Sequence, residues 1–267
     1  MKFERLLLTG AAGALGTVLR EGLRPLTANL RLSDRATLSE PVGHEEVVPG
    51  ELADAAAVQA LTKDVDAVIH MGGMARENSF QSILESNIVG LYNLYEGCRR
   101  NGVGRVVWAS SNHAIGFYPR TQVIDATVPT RPDSNYGVSK AFGENVAQYY
   151  WDKYGIESVS MRIGSCFPEP TDRRMLTTWL SYPDLVHLVE CALTAPRVEH
   201  TVVYGVSDND MCLWDNRCAM HLGYRPQDNA ERFRETLEAS QPVPDKHDLF
   251  VAVHGGGYAA AGHFDDP

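Results

Sequence analysis

Tyr136 and Lys140 stand four residues apart in the stretch Tyr136-Gly137-Val138-Ser139-Lys140. In a helix that step places a phenol and an ammonium on one face, one turn apart. A positive charge beside a phenol favours phenolate, lowering a pKa that is ordinarily about 10. A phenolate can take the proton of a substrate hydroxyl while hydride leaves the same carbon. The pair alone equally describes a solvated helix face, so its chemistry depends on what the rest of the chain brings to it. Ser110-Ser111-Asn112-His113 follow a strand-like run over 105–109, and ligands of open parallel sheets collect outside such carboxyl ends.

Hydride transfer needs a cofactor, and the first strand–helix junction offers one a seat. Residues 5–9 form a continuous apolar run suited to a buried parallel strand. Gly10-Ala11-Ala12-Gly13-Ala14-Leu15-Gly16 follow directly. Glycines at i, i+3 and i+6 permit a tight turn, close approach to a pyrophosphate and close helix–strand packing. The helix expected over 17–26 then turns its N-terminus toward the phosphate charge. A second strand over 30–34 ends in Asp34, 18 residues after Gly16. A carboxylate there accepts hydrogen bonds from ribose hydroxyls and repels a 2′-phosphate, which favours NAD over NADP. Arg35 is a competing signal, since an arginine in this region can receive that phosphate.

The remaining elements keep a βα rhythm as far as residue 170. A third strand is expected over 45–48, a helix over 55–61 with Asp54 as its N-cap, and a fourth strand over 66–70. That strand runs into Met71-Gly72-Gly73, beside the dinucleotide, and His70 reads as a packed residue rather than a ligand. Apolar periodicity predicts a helix over 80–100, and further helices and strands follow at 136–154 and 158–163. Beyond Gly164-Ser165-Cys166 the rhythm breaks. A helix over 184–194, a strand over 201–206, and helices over 214–222 and 230–239 are assigned to a smaller lobe. The glycine-rich tail after His254 carries no readable pattern, and packing on a partner subunit is one use for it. The fold class is therefore α/β, a Rossmann-type doubly wound parallel sheet with a small C-terminal substrate-binding lobe. Residues 1–170 would form the NAD-binding domain with Ser111, Tyr136 and Lys140, and 171–267 mostly the lobe, with the strand at 201–206 free to return to the main sheet.

Composition limits the alternatives. A chain of 267 residues with 44% hydrophobic residues has ample core. A net charge of −10 argues against non-specific nucleic-acid binding. No apolar run approaches a membrane span and residues 1–5 are not a signal peptide, so a cytoplasmic protein is expected. Cys98, Cys166, Cys191, Cys212 and Cys218 are scattered, with no Cys-x-x-Cys pair, so neither zinc nor a disulfide framework is expected.

Thr9-Gly10-x-x-Gly13-x-x-Gly16, Asp34, Ser111 and Tyr136-x-x-x-Lys140 together resemble the extended short-chain dehydrogenase/reductase superfamily over about residues 5–170. The 25-residue step from Ser111 to Tyr136 matches that superfamily. Asn87-Ile88-Val89-Gly90 is similar to its Asn-Val-x-Gly segment, and Glu51-Leu52 falls where an Asp-Leu near adenine is usual. The resemblance implies an NAD site made from Gly10, Ala12, Gly13, Ala14, Leu15, Gly16, Asp34, Arg35, Glu51, Leu52, Met71, Gly72, Gly73, Asn87, Tyr136, Lys140, Ile163 and Cys166. It implies Tyr136 as base, Lys140 lowering its pKa and holding the nicotinamide ribose, and Ser111 steadying the reacting oxygen.

A narrower set of motifs resembles the bacterial uronate dehydrogenase branch of that superfamily. It comprises His70-x-Gly72-Gly73, Leu91-Tyr92-Asn93-Leu94-Tyr95, Ser110-Ser111-Asn112-His113, Arg162-Ile163-Gly164-Ser165-Cys166, Pro168-Glu169-Pro170, Arg174-Met175-Leu176 and Asp228-Asn229-Ala230. This implies oxidation of C1 of cyclic glucuronate or galacturonate by NAD⁺ to an aldarolactone, without a metal. Arg174 would bind both oxygens of the uronate carboxylate. Asn112, His113 and Ser165 would contact the sugar with Ser111 and Tyr136, and Ala75 stands where the branch is expected to carry a substrate-touching serine. Related enzymes imply a homo-oligomer built on dimers, with trimers or hexamers left open. The rivals are a nucleotide-sugar epimerase or dehydratase, and a non-catalytic NAD(P)-binding sensor. A dehydratase would want acids beside the serine, where this chain has Asn112 and His113, and a sensor would not need Ser111, Tyr136 and Lys140 together.

Overall fold

In the computed structural model, which describes residues 2–265, the first apolar run becomes β1 (Phe3–Thr9). Leu6 and Leu8 feed one side of the sheet and Leu7 the other, and all three are fully buried. That is the period-two pattern of a strand covered on both faces. β2 (Thr27–Ser33), β3 (Glu45–Val47), β4 (Ala67–His70) and β5 (Arg105–Ser111) follow. After the short β6 (Ile124–Asp125) comes β7 (Glu157–Ile163). Past the short pair β8 (Ser165–Cys166) and β9 (Trp179–Leu180) comes β10 (His200–Gly205). The main sheet has seven strands in the order β10-β7-β5-β4-β1-β2-β3, and every pairing in it is parallel. The order reverses between β1 and β4, which is where a doubly wound sheet opens its ligand crevice.

The helices are α1 (Ala14–Leu23), α2 (Ala55–Leu61), α3 (Phe80–Ile83), α4 (Gly90–Asn101), α5 (Asn135–Tyr154), α6 (Met175–Thr178) and α7 (Tyr182–Thr194). One face of the sheet is covered by Leu19 and Leu23 of α1 and by Leu185, Leu188 and Val189 of α7. The other is covered by Val58 of α2, Leu94 and Tyr95 of α4, and Val146 and Tyr150 of α5. Asp54 caps α2 as expected, accepting from the amides of Ala56 and Ala57. The strand expected over 201–206 joins the sheet edge as β10. The helix expected over 184–194 also belongs to the sheet rather than to a separate lobe, because its apolar stripe covers a face that α1 alone leaves bare.

Two other stretches depart from the sequence pattern. The helix expected over 80–100 is broken by a π-helical segment, Leu84–Val89, between α3 and α4. The region expected to be helical over 214–222 begins instead with β11 (Trp214–Asp215), which pairs with β6, and turns 3₁₀ over Arg217–Leu222, whereas the helix expected over 230–239 forms as a 3₁₀ turn at Ala230–Phe233 running into α8 (Arg234–Ser240). The tail forms two short helices, α9 (Leu249–Ala252) and α10 (Gly257–Ala260), and folds back over the end of β5.

Candidate active site

The carboxyl ends of β1, β4, β5 and β7 open onto one cavity of about 700 Å³. Its nucleotide half begins at the β1–α1 turn. Gly10 has φ +72°, and a Cβ there would lie 2.4 Å from the amide nitrogen of Gly72; at Gly16 it would lie 2.0 Å from the carbonyl of Gly10. Side chains cannot occupy these positions without moving backbone, so the turn stays open to a ligand at the N-terminus of α1. Asp34 lies just past β2. Its Oδ2 accepts from the amide of Ala12 (3.0 Å) and its Oδ1 from that of Ala36 (2.9 Å), which aims the carboxylate along the glycine turn. The carbonyls of Leu52 and Ala53 accept from Asn93 Nδ2 of α4 (3.0 and 3.2 Å).

Ala12, Gly13, Ala14, Leu15, Asp34, Arg35, Glu51, Leu52, Met71, Gly72, Gly73, Ile163 and Cys166 all line this cavity with Gly10 and Gly16. The turn, the helix end and the carboxylate fit an adenine dinucleotide, with Asp34 disposed to hold ribose hydroxyls. Asn87 is the exception, because it does not line the cavity. From the π-helical segment its Oδ1 accepts from the amide of Met74 (2.6 Å), and its Nδ2 donates to the carbonyl of Met74 (3.0 Å) and to Ser139 Oγ (3.0 Å). It fastens the loop after β4 to α5. His70 is likewise internal. Its Nδ1 pairs with Thr9 Oγ1 (2.7 Å), and burial brings its pKa down to about 3, so it is neutral.

Ser111, Tyr136 and Lys140 share the cavity with Asn112, His113, Ser165, Arg174 and Ala75. The amides of Asn135 and Tyr136, in the first turn of α5, donate to Glu77 Oε1 (3.0 Å) and Oε2 (2.8 Å), and Ser134 Oγ caps the helix at the amide of Gly137 (2.9 Å). These bonds satisfy donors that a helix start leaves open, and they fix where Tyr136 points. Burial pushes the Tyr136 phenol well above its ordinary pKa; its hydrogen bond with Ser111 opposes this, while Tyr258 and Asp133 add to the rise.

The expected depression by Lys140 is not what this geometry gives. Lys140 Nζ donates to the carbonyl of Ala109 (2.7 Å) and lies 5.2 Å from the Tyr136 ring centre, and burial lowers its own pKa to about 8. Here Ser111 is the neighbour that favours phenolate. Beneath these residues, Ser110 Oγ donates to Glu144 Oε1 (2.7 Å), and Arg162 clamps both oxygens of Glu144 (2.9 and 2.8 Å), tying α5 to the ends of β5 and β7.

The other side of the cavity is finished by residues that the sequence pattern does not single out. His113 Nδ1 pairs with Asp133 Oδ2 (2.8 Å), and the Asp133 side chain is fully buried. The His113 ring stacks on Tyr258 with centroids 4.0 Å apart, and Tyr258 lines the cavity. The tail reaches this point through a bond from the amide of Gly255 to the carbonyl of Gly116 (2.8 Å). The carbonyl of His254 accepts from Asn112 Nδ2 (3.2 Å) and from Arg174 Nη2 (2.6 Å). Arg76, Phe167 and Tyr182 also line the cavity. The tail thus packs on its own chain's site, and the one available signal was an aromatic residue directly after Gly255-Gly256-Gly257.

Arg174 is held but not neutralised. Its Nη1 donates to Ser165 Oγ (3.2 Å) and its Nη2 to the carbonyl of His254, while its Nε is buried without a partner. Among the described residues no carboxylate pairs with it, and burial followed by the charge of Arg120 lowers its pKa to about 10. A cation in that condition is built for an anion that comes from outside the fold. Among the described residues no group of three or more His, Cys, Asp or Glu side chains could hold a metal ion.

Comparison with known proteins agrees with this geometry. Residues 6–197 match the model of the NAD dependent epimerase/dehydratase family. The chain is 54% identical to the uronate dehydrogenase of Pseudomonas putida, over 98% of both sequences. It superposes on the crystal structure of the glucuronic acid dehydrogenase of Chromohalobacter salexigens with a TM-score of 0.97 at 50% identity, over 99% of both chains. It also superposes along its length on an Agrobacterium tumefaciens uronate dehydrogenase, a tyrosine-to-alanine variant complexed with NAD (TM-score 0.94, 48% identity, 99% of this chain and 98% of that one). The chain belongs to the NAD dependent epimerase/dehydratase family, in the branch of the uronate dehydrogenases.

Proposed function

We propose that the protein oxidises C1 of cyclic D-glucuronate or D-galacturonate to the aldarolactone with NAD⁺. One observation carries the substrate class: Arg174, an unneutralised guanidinium, lines the same cavity as Ser111, Tyr136 and Lys140. A neutral sugar would leave that charge unmatched, whereas a uronate brings a carboxylate to it. Bound NAD⁺ supplies the hydride acceptor. The turn from Gly10 to Gly16 receives the pyrophosphate, Asp34 the adenosine ribose, and Lys140 the nicotinamide ribose. Asn87 acts from behind, by holding the loop at Met74.

On the sugar side, Ser111 and Tyr136 meet the C1 oxygen, and Tyr136 takes its proton as the C1–H bond breaks. Because burial raises the phenol, phenolate depends on the hydrogen bond with Ser111, which opposes that rise. Asn112, His113 and Ser165 orient the sugar, and Ala75 contributes only a methyl group where a hydroxyl is expected. Residues 1–170 carry the cofactor side, and the segment from 171 onward carries Arg174 and the tail.

The assay follows NADH absorbance with purified protein, NAD⁺ and either uronate. Prompt turnover is expected; inactivity with uronates together with turnover of a UDP-sugar would overturn the proposal. Tyr136→Phe should still bind NAD⁺ and lose turnover by at least about 10³-fold. A variant that stayed fast would remove Tyr136 as the base. Exposed Tyr92 of α4 and Tyr149 and Tyr154 of α5 make an aromatic face suited to pairing two copies about a two-fold axis. Light scattering should therefore give a dimer or a multiple of one. The reading places the enzyme in the cytoplasm, where NAD⁺ is held.

A further inference from the structure

Arg174 has a second cation behind it. Arg120 Nη2 donates to Thr177 Oγ1 (2.8 Å), and Thr177 Oγ1 donates to the carbonyl of Arg174 (2.9 Å). The amide of Arg120 donates to the carbonyl of Ala252 (2.8 Å), two residues before His254, whose carbonyl takes Arg174 Nη2. The Arg120 guanidinium is therefore held by α6 and its main chain by the tail, while the Arg174 guanidinium is held by that same stretch of tail and by Ser165. Neither has an ion-pair partner among the described residues. Among the described residues the one acid that acts on both is Asp172, whose carboxylate is engaged with the amide of Met175 (2.9 Å). His254 adds no charge. Burial and the two arginines bring its pKa down to about 4, and its Nδ1 accepts from Trp214 Nε1 (3.1 Å).

Elsewhere the chain shows how it completes such a doublet. Arg20 and Arg24 converge on the buried carboxylate of Glu45, at 2.6 and 2.7 Å. The Arg120–Arg174 doublet has the same two cations and lacks the carboxylate between them. We infer that Arg120 is a positioning residue for the substrate's carboxylate: it does not line the cavity, and it supplies positive potential through Arg174 that selects anionic over neutral sugars. The inference rests on the uronate reading above and assigns to it a residue for charge selectivity.

The test compares KM for glucuronate and for its neutral amide, glucuronamide, with saturating NAD⁺. Arg120→Gln should raise KM for glucuronate about tenfold, equivalent to about 1.4 kcal/mol. It should leave kcat, and KM for glucuronamide, within about twofold. Arg120→Lys, which keeps the charge, should bring KM for glucuronate back to within about threefold of the parent. Thr177→Val, which loosens Arg120 without removing it, should give a smaller rise with the same selectivity, and it decides the matter if Arg120→Gln does not fold. An equal rise for both substrates would show a structural role and overturn the inference, as would no rise for either. A parent protein that turns over neither sugar, or prefers glucuronamide, would sink the uronate reading itself before Arg120 is at issue.

Discussion

Arg162 and Arg174 lie at the two ends of one short segment, and the fold treats them in opposite ways. Arg162 ends up 2% exposed with both oxygens of Glu144 against it, and that pairing holds its charge firmly. Arg174 reaches only a hydroxyl and a carbonyl, keeps a bare Nε, and has its pKa lowered. The first cation is part of the scaffold, joining α5 to the strand ends. The second is left by the scaffold without a counter-charge, which is the condition that the proposed uronate site needs. What separates a structural arginine from a functional one here is whether the fold provides its counter-charge.

The contrast can be broken most forcefully on the scaffold side. Glu144→Ala leaves Arg162 buried and unpaired, and should cost about 3–5 kcal/mol of stability in denaturant unfolding. Arg174→Met should do the reverse. Its melting temperature should stay level or rise, while kcat/KM for glucuronate falls about 10²–10³-fold, chiefly through KM. Equal stability losses in the two variants would erase the distinction.

Lys140 sharpens the comparison, because it too is a buried cation without a carboxylate. Its folded pKa of about 8 lies below its ordinary 10.5, so the folded state binds this proton more weakly than the unfolded state. The resulting penalty is present in full below pH 8 and is relieved as pH rises from 8 to 10.5. Lys140→Met should therefore be inactive, yet more stable at pH 7 by on the order of 3 kcal/mol, with the gain fading above pH 8. Parallel stability curves against pH would refute this. The smallest effect is expected at Gly256, which has φ +58° and ψ −125°, and where a Cβ would lie 2.7 Å from Arg174 Nε. Gly256→Ala should cost about 1–3 kcal/mol locally, seen as faster amide exchange in the tail and a raised KM for uronate with the KM for NAD⁺ unmoved.

The nucleotide half was legible in the sequence because its signals are short-range. A glycine turn after an apolar run, an acid at the end of the next strand, and Tyr136 four residues before Lys140 all lie within single βα units. The sugar half was legible only where a motif carried it, as at Ser111, Asn112, His113, Ser165 and Arg174. Asp133, Arg120, His254 and Tyr258 sit on turns and short helices with no period, and their roles arise from contacts across long sequence separations, such as Gly255 with Gly116 and Asn112 with His254. Asn87 carries a readable motif, but its bonds to Met74 and Ser139 come from a π-helical segment, which periodicity cannot reveal. Lys140 stands out in the sequence for a charge that would lower the phenol pKa, but that charge rests on Ala109 while burial and Ser111 govern the phenol.

The order in which the halves are stitched has a consequence for how the enzyme meets its two ligands. The glycine turn, Asp34 and the loop over 71–73 all belong to βα units that precede β7, whereas the opposite wall is tied down by the tail, through the amide of Gly255 and the carbonyl of His254 that takes Asn112 and Arg174. Displacing that segment would leave a protein that still grips nucleotide but no longer knows which sugar to oxidise.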